Sequence, residues 1–485
     1  MFQGKLAGIE LTNQRHRNNL ILFLILILNV IIHSINLGVE PLWYDEIVSV
    51  KASLLDFGHV KHMAEWDNNP PFYYYCLWVW TKLFGITELA VRSLNLIFHL
   101  GSVILLFHFV SKNIGNIIAI TTTLLFSFND FVFYYTHEAR CYTLTTFLII
   151  ASGAIFFKVL RNPSKLTVFS LGLVNFLIIY THYIAGITFF IQICFVLIFH
   201  KNKTISYLLS ILITLILVVI RFSKKQFLLI FGFNERSSDF WLQKATASDL
   251  KTVFTQLLSN SFLSYVLLGL VFLSIISFIY FNKRFNRDSK NIILYSFGLS
   301  VITVFVLYLL GSITPLFLGR YLLFTIPFFC ILIPLFSYTN KAIQLITIFL
   351  AFGLLFTINF SPKKPTNYRL AVNVTKQLEK TLNPKIIIQT KDVTALFAYY
   401  YDQVIFKDYT NLNSNLKALN IFEVEDYSDF KEIPINTNEP LILLQTFEKE
   451  SDSKKILEAM ISKGYLYHAT NAIKGVKLTC FKKSK

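Results

Sequence analysis

Runs of apolar residues dominate the chain up to Phe360, each about 17 to 25 residues long, the length that crosses the hydrocarbon core of a bilayer. They begin near Leu20, Arg92, Ile114, Tyr142, Lys165, Tyr183, Thr204, Asn260, Asn291, Tyr321 and Ala342, and they predict about eleven transmembrane helices. A shorter apolar stretch, residues 72–85, opens on Pro70-Pro71 and is too short for a comfortable span. With that stretch lying at the surface, Lys112, Lys158, Arg161, Lys165, Lys201, Lys203, Lys283, Arg284, Arg287, Lys290 and Lys341 all fall in loops on one side. Placing it across the membrane would move them to the opposite side and break the positive-inside bias. It therefore reads as part of a structured first outer loop, with the N-terminus cytoplasmic.

This topology sorts the carboxylates. Before Phe360, Glu10 and Asp288 lie inside, whereas Glu40, Asp45, Glu46, Asp56, Glu65, Asp67, Glu88, Asp130, Glu138, Glu235, Asp239 and Asp249 lie at or near the outer face. Any chemistry is predicted to be outside. After Phe360 charged residues of both signs become frequent, the mark of a soluble domain. Periodicity predicts helices over 370–379, 393–401 and 453–461 and strands over 385–389 and 440–445. The fold class is thus a polytopic α-helical membrane protein with a small C-terminal α/β domain. Residues 1–360 form the membrane domain and 361–485 an extracytoplasmic one.

Composition agrees with a multi-pass protein of the plasma membrane. Only 15% of residues are charged, 54% are hydrophobic, and mean hydropathy is +0.55; a soluble domain carries about a quarter charged residues. The net charge of +17 invites a nucleic-acid reading, but the basic residues sit in short loops between apolar runs rather than in one interleaved patch. Of the five cysteines, Cys76, Cys141, Cys194 and Cys330 lie in or beside apolar segments and Cys480 lies in the tail, so neither a disulfide framework nor a CxxC metal site is available.

Several polar groups interrupt this pattern at the outer face. Glu40-Pro41-Leu42-Trp43-Tyr44-Asp45-Glu46 follows the first helix. On a helix the two adjacent acids point about 100° apart, so only one can face a given site. They are either a helix start favoured by the dipole or a general base or metal ligand under a lipid-borne substrate. Next come Asp67-Asn68-Asn69-Pro70-Pro71-Phe72-Tyr73-Tyr74 and then Glu88 and Arg92, spaced for an ordinary i,i+4 pair. His137-Glu138-Ala139-Arg140-Cys141-Tyr142 and Thr181-His182-Tyr183 sit at the same level, and Arg320-Tyr321 places a cation at the outer end of a late helix. A cation there runs against the topogenic trend and suits an anion.

In this order the pieces resemble the C-type glycosyltransferases, in particular the bacterial group related to protein O-mannosyltransferases and the lipid A aminoarabinose transferase. The matching positions are Asp45-Glu46, Asp67 to Tyr74 with its paired prolines, Glu88 to Arg92, Glu138-Ala139-Arg140-Cys141-Tyr142, Thr181-His182-Tyr183, and Arg320-Tyr321 with Pro327. The sequence departs from that group at Asn69, where His often precedes the prolines, at His137, where Gln is common, and at Asn367-Tyr368-Arg369, where Asp-Trp-Arg is often found. The first departure weakens the case for a metal at that position.

The resemblance implies inverting transfer from a polyprenyl-phosphate-linked sugar to a lipid, glycan or protein acceptor, with membrane lipid around the site. It implies Asp45 at the reaction centre, with Glu46 beside it as a second catalytic candidate. Asp67, Arg92, Glu138, Arg140, Tyr142, His182, Tyr183, Arg320 and Tyr321 are the implied substrate-binding residues. Arg140 and Arg320 are the first candidates to meet the leaving phosphate, with Arg92 and Arg369 behind them. Glu138 and His182 are the groups available for the acceptor or a divalent metal. The main rival is a membrane transporter or lipid flippase, which would place ionisable groups and broken helices near the midplane rather than at one surface.

Overall fold

A computed structural model describes residues 2–231, 242–259, 262–338, 340–390, 393–435, 439–446 and 450–483. Glu235 and Asp239 lie outside the described residues. Among the described residues, seven helices are long and apolar enough to cross a membrane: His16–Ser34, Glu88–Asn113, Tyr142–Arg161, Lys201–Arg221, Leu263–Tyr280, Arg287–Ile313 and Gly319–Ser337. Asn116–Ser127 with Asp130–Thr136 adds a broken span, and Lys165–Ile179, Tyr183–Phe199 and Lys341–Thr357 are shorter apolar helices. Each predicted apolar segment has its helix, so the chain is a multi-pass membrane protein. Helix Phe72–Phe84 has 13 residues and is not among the helices that could span.

The break in the third segment was not predicted. Its halves meet at 59°, and the cause is Asn129. This residue caps the second half, its side chain accepting from Val132 N, while its Nδ2 donates to the carbonyls of Leu257 and Leu258 at 2.9 and 3.0 Å. A side-chain cap substitutes for the continuing backbone ladder and turns the chain.

The described residues form two compact units. One comprises Met1–Leu37, Lys61–Cys76 and Arg92–Phe360; the other comprises Gly38–Val60, Leu77–Val91 and Ser361–Lys485. Within the first, burial ranks the helices. Gly319–Ser337 and Tyr142–Arg161 are 83% and 72% buried over their apolar windows, against 22% for Lys201–Arg221 and Leu263–Tyr280. The first two are therefore central and the last two present apolar side chains outward. A polar network ties the central helix Tyr142–Arg161 to its neighbours: Ser152 Oγ donates to Asn175 Oδ1 at 2.7 Å, and Gln192 Nε2 donates to Ser152 Oγ at 2.9 Å and to Tyr295 OH at 3.1 Å. Tyr207 OH closes it by donating to Gln192 Oε1 at 3.2 Å. In a bilayer such bonds hold helices together where the hydrophobic effect cannot.

In the second unit, helix Tyr44–Leu54 follows the first long apolar helix. The tail forms a five-stranded sheet of β1 (Lys385–Gln389), β2 (Ile421–Val424), β3 (Leu441–Gln445), β4 (Tyr465–Ile473) and β5 (Val476–Lys483), in the order β2-β1-β3-β5-β4. Strand β1 runs parallel to both β2 and β3, whereas β5 is antiparallel to β3 and β4. Ile386, Ile387, Ile388, Leu441, Ile442, Leu443 and Leu444 are buried, as expected of strands covered on both faces. Tyr368–Leu382, Thr394–Tyr401 and Glu450–Ser462 are helical, matching the predicted helices to within a few residues.

Candidate active site

The two most buried helices begin at candidate residues: one starts at Tyr142, two positions after Arg140, and the other at Gly319, one position before Arg320. A Cβ at Gly319 would lie 2.2 Å from Gln256 Oε1, so a larger residue there would have to move the end of that side chain.

Arg140 is 6% exposed, and its Nη1 lies 2.9 Å from Asp67 Oδ2. The same carboxylate oxygen accepts from Tyr74 OH and from Asn69 Nδ2 at 2.9 Å, and Arg140 Nη1 also lies 3.3 Å from Tyr74 OH. Burial pushes the Tyr74 phenol well above its ordinary range, so it remains a hydrogen-bond donor. Asn95 braces the arrangement from the next helix. It accepts from Tyr73 OH at 2.9 Å and donates to the carbonyl oxygens of Arg140, at 3.1 Å, and Glu138. The motif Asp67 to Tyr74 and the turn at Glu138 to Tyr142 thus form one charged assembly.

His182 joins it through aromatic contacts. Its ring centroid is 5.3 Å from Tyr321 and 6.0 Å from Tyr142, and those two rings are 6.5 Å apart. The Arg320 guanidinium lies 5.7 Å from the Tyr321 ring centre. Burial, reinforced by the charges of Arg140 and Arg320, lowers the His182 pKa from 6.5 to about 3. His182 is therefore held as a neutral imidazole near the two guanidinium groups.

Other candidates go elsewhere. Arg92 is 1% exposed and donates from Nη1 to Leu37 O at 3.1 Å, a bond to the end of the first helix rather than a surface pair. Tyr183 packs edge-on to Phe222 at 6.2 Å beside the cluster of Phe176, Tyr180 and Val218. The His137 ring lies between the carbonyl oxygens of Phe133 and Ile35, at 2.9 and 3.0 Å, where it ties two helix ends together. Glu138 is 1% exposed. Among the described residues no group of three His, Cys, Asp or Glu side chains is placed to hold a metal, so Glu138 and His182 do not belong to such a set.

Asp45 and Glu46 lie in the first turn of helix Tyr44–Leu54, in the second unit. Glu46 is fully buried while Asp45 is half-buried, so the two adjacent acids separate as helix geometry requires. In that unit Glu88 accepts from Arg369 Nη2 at 2.5 Å and from Tyr400 OH at 3.0 Å. Arg369 also donates to Val39 O at 2.7 Å, which makes it a tie between the stretch 38–60 and the tail. Asn95 was missed by sequence reading. Its signal is a lone amide inside an apolar helix, where a polar side chain is retained only with partners.

No family model and no curated protein matches the sequence. Solved structures do match. ArnT from Cupriavidus metallidurans in the apo state aligns with a TM-score of 0.60 and 12% identity over 94% of this chain and 97% of that one. The same protein bound to undecaprenyl phosphate gives 0.58 and 12% over the same shares. The Archaeoglobus fulgidus oligosaccharyltransferase, tethered to an acceptor peptide containing the NVT sequon, gives 0.53 and 9% over 96% of this chain and 74% of that one. At such identities the likeness is one of fold: this chain shares the fold of ArnT and of the archaeal oligosaccharyltransferase.

Proposed function

We propose that the protein transfers a sugar from a polyprenyl-phosphate carrier to a lipid, glycan or protein acceptor at the extracytoplasmic face of the plasma membrane. The observation that carries this reading is the pairing of Arg140 and Arg320 around the neutral His182 at the starts of the two central helices. Two guanidinium groups and two helix N-termini suit a lipid phosphate, and the rings of Tyr142 and Tyr321 suit the face of a sugar. The fold neighbour whose structure holds undecaprenyl phosphate supports the same class of donor.

In the proposed step the acceptor hydroxyl oxygen attacks the anomeric carbon as the bond from that carbon to the phosphate oxygen breaks. The hydroxyl proton passes to the Asp45 carboxylate, and the polyprenyl phosphate departs with the bonding electron pair. Inversion at the anomeric carbon follows from a single displacement. A phosphate is a good leaving group and needs cations more than an acid, which is the role given to Arg140 and Arg320.

The test is incubation of the purified protein with labelled polyprenyl-phosphate sugars and with the matching nucleotide sugars. Turnover of the lipid donor alone is expected, and Asp45→Asn should abolish it while leaving insertion and folding intact. Transfer by Asp45→Asn within about threefold of wild type, less than ~1 kcal/mol of barrier, would remove Asp45 from the reaction. Lipid movement without covalent transfer would favour a flippase.

A further inference from the structure

Helix Tyr44–Leu54 carries Asp45 in its first turn, and its N-cap residue Trp43 makes no side-chain capping bond. A helix start without such a cap is held less firmly by its own sequence. A general base in that turn must nevertheless be kept within about half an ångström of its working position. The holding groups come from the C-terminal tail, in the same compact unit.

Leu42, three positions before Asp45, is fully buried, and its N–H donates to Tyr400 OH at 2.6 Å. Tyr400 OH donates in turn to Glu88 Oε1 at 3.0 Å, and the same oxygen receives Arg369 Nη2 at 2.5 Å. Arg369 Nη1 then donates to Val39 O at 2.7 Å. The chain of bonds thus leaves the backbone at Val39 and returns to it at Leu42 through a guanidinium, a carboxylate and a phenol. Hydrogen bonds with an ionised partner, such as those to Glu88, are the strong kind. Burial and the Glu88 charge push the Tyr400 phenol well above its ordinary range, so its one proton stays in place for Glu88 while its oxygen takes the Leu42 amide. The far end of the helix is held as well. Trp78 Nε1 donates to Leu55 O at 2.8 Å, and the Lys51 ammonium lies 4.2 Å from the Tyr409 ring centre, a cation–π contact.

We propose that Tyr400, with Arg369 acting through Glu88, is a positioning residue for Asp45, so that the C-terminal domain serves transfer by orienting the base. This rests on the transferase reading of Asp45 given above. The clamp acts on backbone rather than on substrate. It fixes Val39 and Leu42, and the Asp45 carboxylate follows because only Trp43 and Tyr44 intervene. Phenylalanine at position 400 would fill the same space but offer the Leu42 amide no acceptor. Tyr401 supplies the control: its hydroxyl donates to the Glu379 carboxylate at 2.8 and 3.0 Å, a bond within the tail that does not reach Leu42.

The experiment uses the full chain in lipid nanodiscs, with steady-state transfer from a labelled polyprenyl-phosphate sugar and amide hydrogen exchange over residues 42–47. Tyr400→Phe should lower kcat at least tenfold with donor KM within twofold of wild type, and should speed exchange over 42–47 at least tenfold. Arg369→Lys, which keeps a cation for Glu88, should lose less than Arg369→Ala in both readouts. Tyr401→Phe should match the wild type in both. A kcat within threefold of wild type in Tyr400→Phe, unchanged exchange in that variant, or equal losses in Tyr401→Phe would overturn the inference. A wild type that transfers no sugar defeats the transferase reading, whereas a wild type that transfers, with Tyr400→Phe unaffected, defeats this inference alone.

Discussion

Asp67 offers a graded test of the charged assembly. Its Oδ2 takes three donors, Arg140 Nη1 at 2.9 Å, Asn69 Nδ2 at 2.9 Å and Tyr74 OH. Asp67→Asn keeps an oxygen acceptor and leaves the guanidinium charged, so a charge-assisted hydrogen bond remains while the attraction between the two opposite charges is lost. That loss is about 1–2 kcal/mol, and the lower end applies because the carboxylate side chain is 15% exposed and partly screened. Asp67→Ala removes the acceptor altogether and leaves a guanidinium that is 7% exposed without this counter-charge, for which losses of about 3–5 kcal/mol are typical at full burial. Steady-state kinetics over a range of lipid donor should therefore show kcat/KM lowered about five- to tenfold in the amide variant and at least a hundredfold in the alanine variant, since ~1.4 kcal/mol is a factor of ten. The melting temperature in detergent should fall in the same order. Equal effects in the two variants, or kcat/KM within twofold of wild type in both, would show that Asp67 does not position Arg140.

The other predictions address separate parts of the molecule. Burial and the two arginines hold the His182 pKa near 3, against 6.5 when unfolded, so stability is complete above pH 6.5 and is lost as pH falls from there toward 3; by pH 5 the loss is about 2 kcal/mol. Melting curves at pH 7 and pH 5 should diverge more for the wild type than for His182→Gln, and equal divergence would contradict the assignment. Arg320→Ala should raise the donor KM at least tenfold and change kcat less, read from the same kinetics; an unchanged KM would remove Arg320 from the phosphate. Gln192→Leu breaks the network among Ser152, Asn175, Tyr207 and Tyr295 and should cost about 1–2 kcal/mol, measured as resistance to denaturation by dodecyl sulfate, with no effect on donor KM.

Hydropathy located the apolar segments because their only requirement is length and the exclusion of charge. It was silent on the break at Asn129, which depends on carbonyls offered by Leu257 and Leu258 more than a hundred residues later. In the tail, Lys385–Gln389 and Leu441–Gln445 were legible as continuous apolar strands. The hairpin of β4 and β5 was not, because β4 keeps most of its side chains exposed and its polar residues do not alternate. The site divides in the same way. Sequence showed that Arg140, Tyr142, His182, Arg320 and Tyr321 interrupt an apolar background, which marks them as costly. Their partners depend on folding: Asp67 lies 73 positions from Arg140, and Arg369 lies 281 positions from Glu88.

Gly38–Val60 and Leu77–Val91 share a compact unit with the tail, and the bonds within it are specific: Tyr400 OH accepts from Leu42 N at 2.6 Å, and Lys51 lies 4.2 Å from the centre of the Tyr409 ring. A genetic exchange that replaced everything after Phe360 with the tail of a distant relative would join an unfamiliar partner to the helix that carries Asp45. Viable chimaeras would have to inherit three separate stretches of the gene together. Shuffling by single crossovers is thus closed to this unit, and the tail and the two earlier stretches must diverge in step.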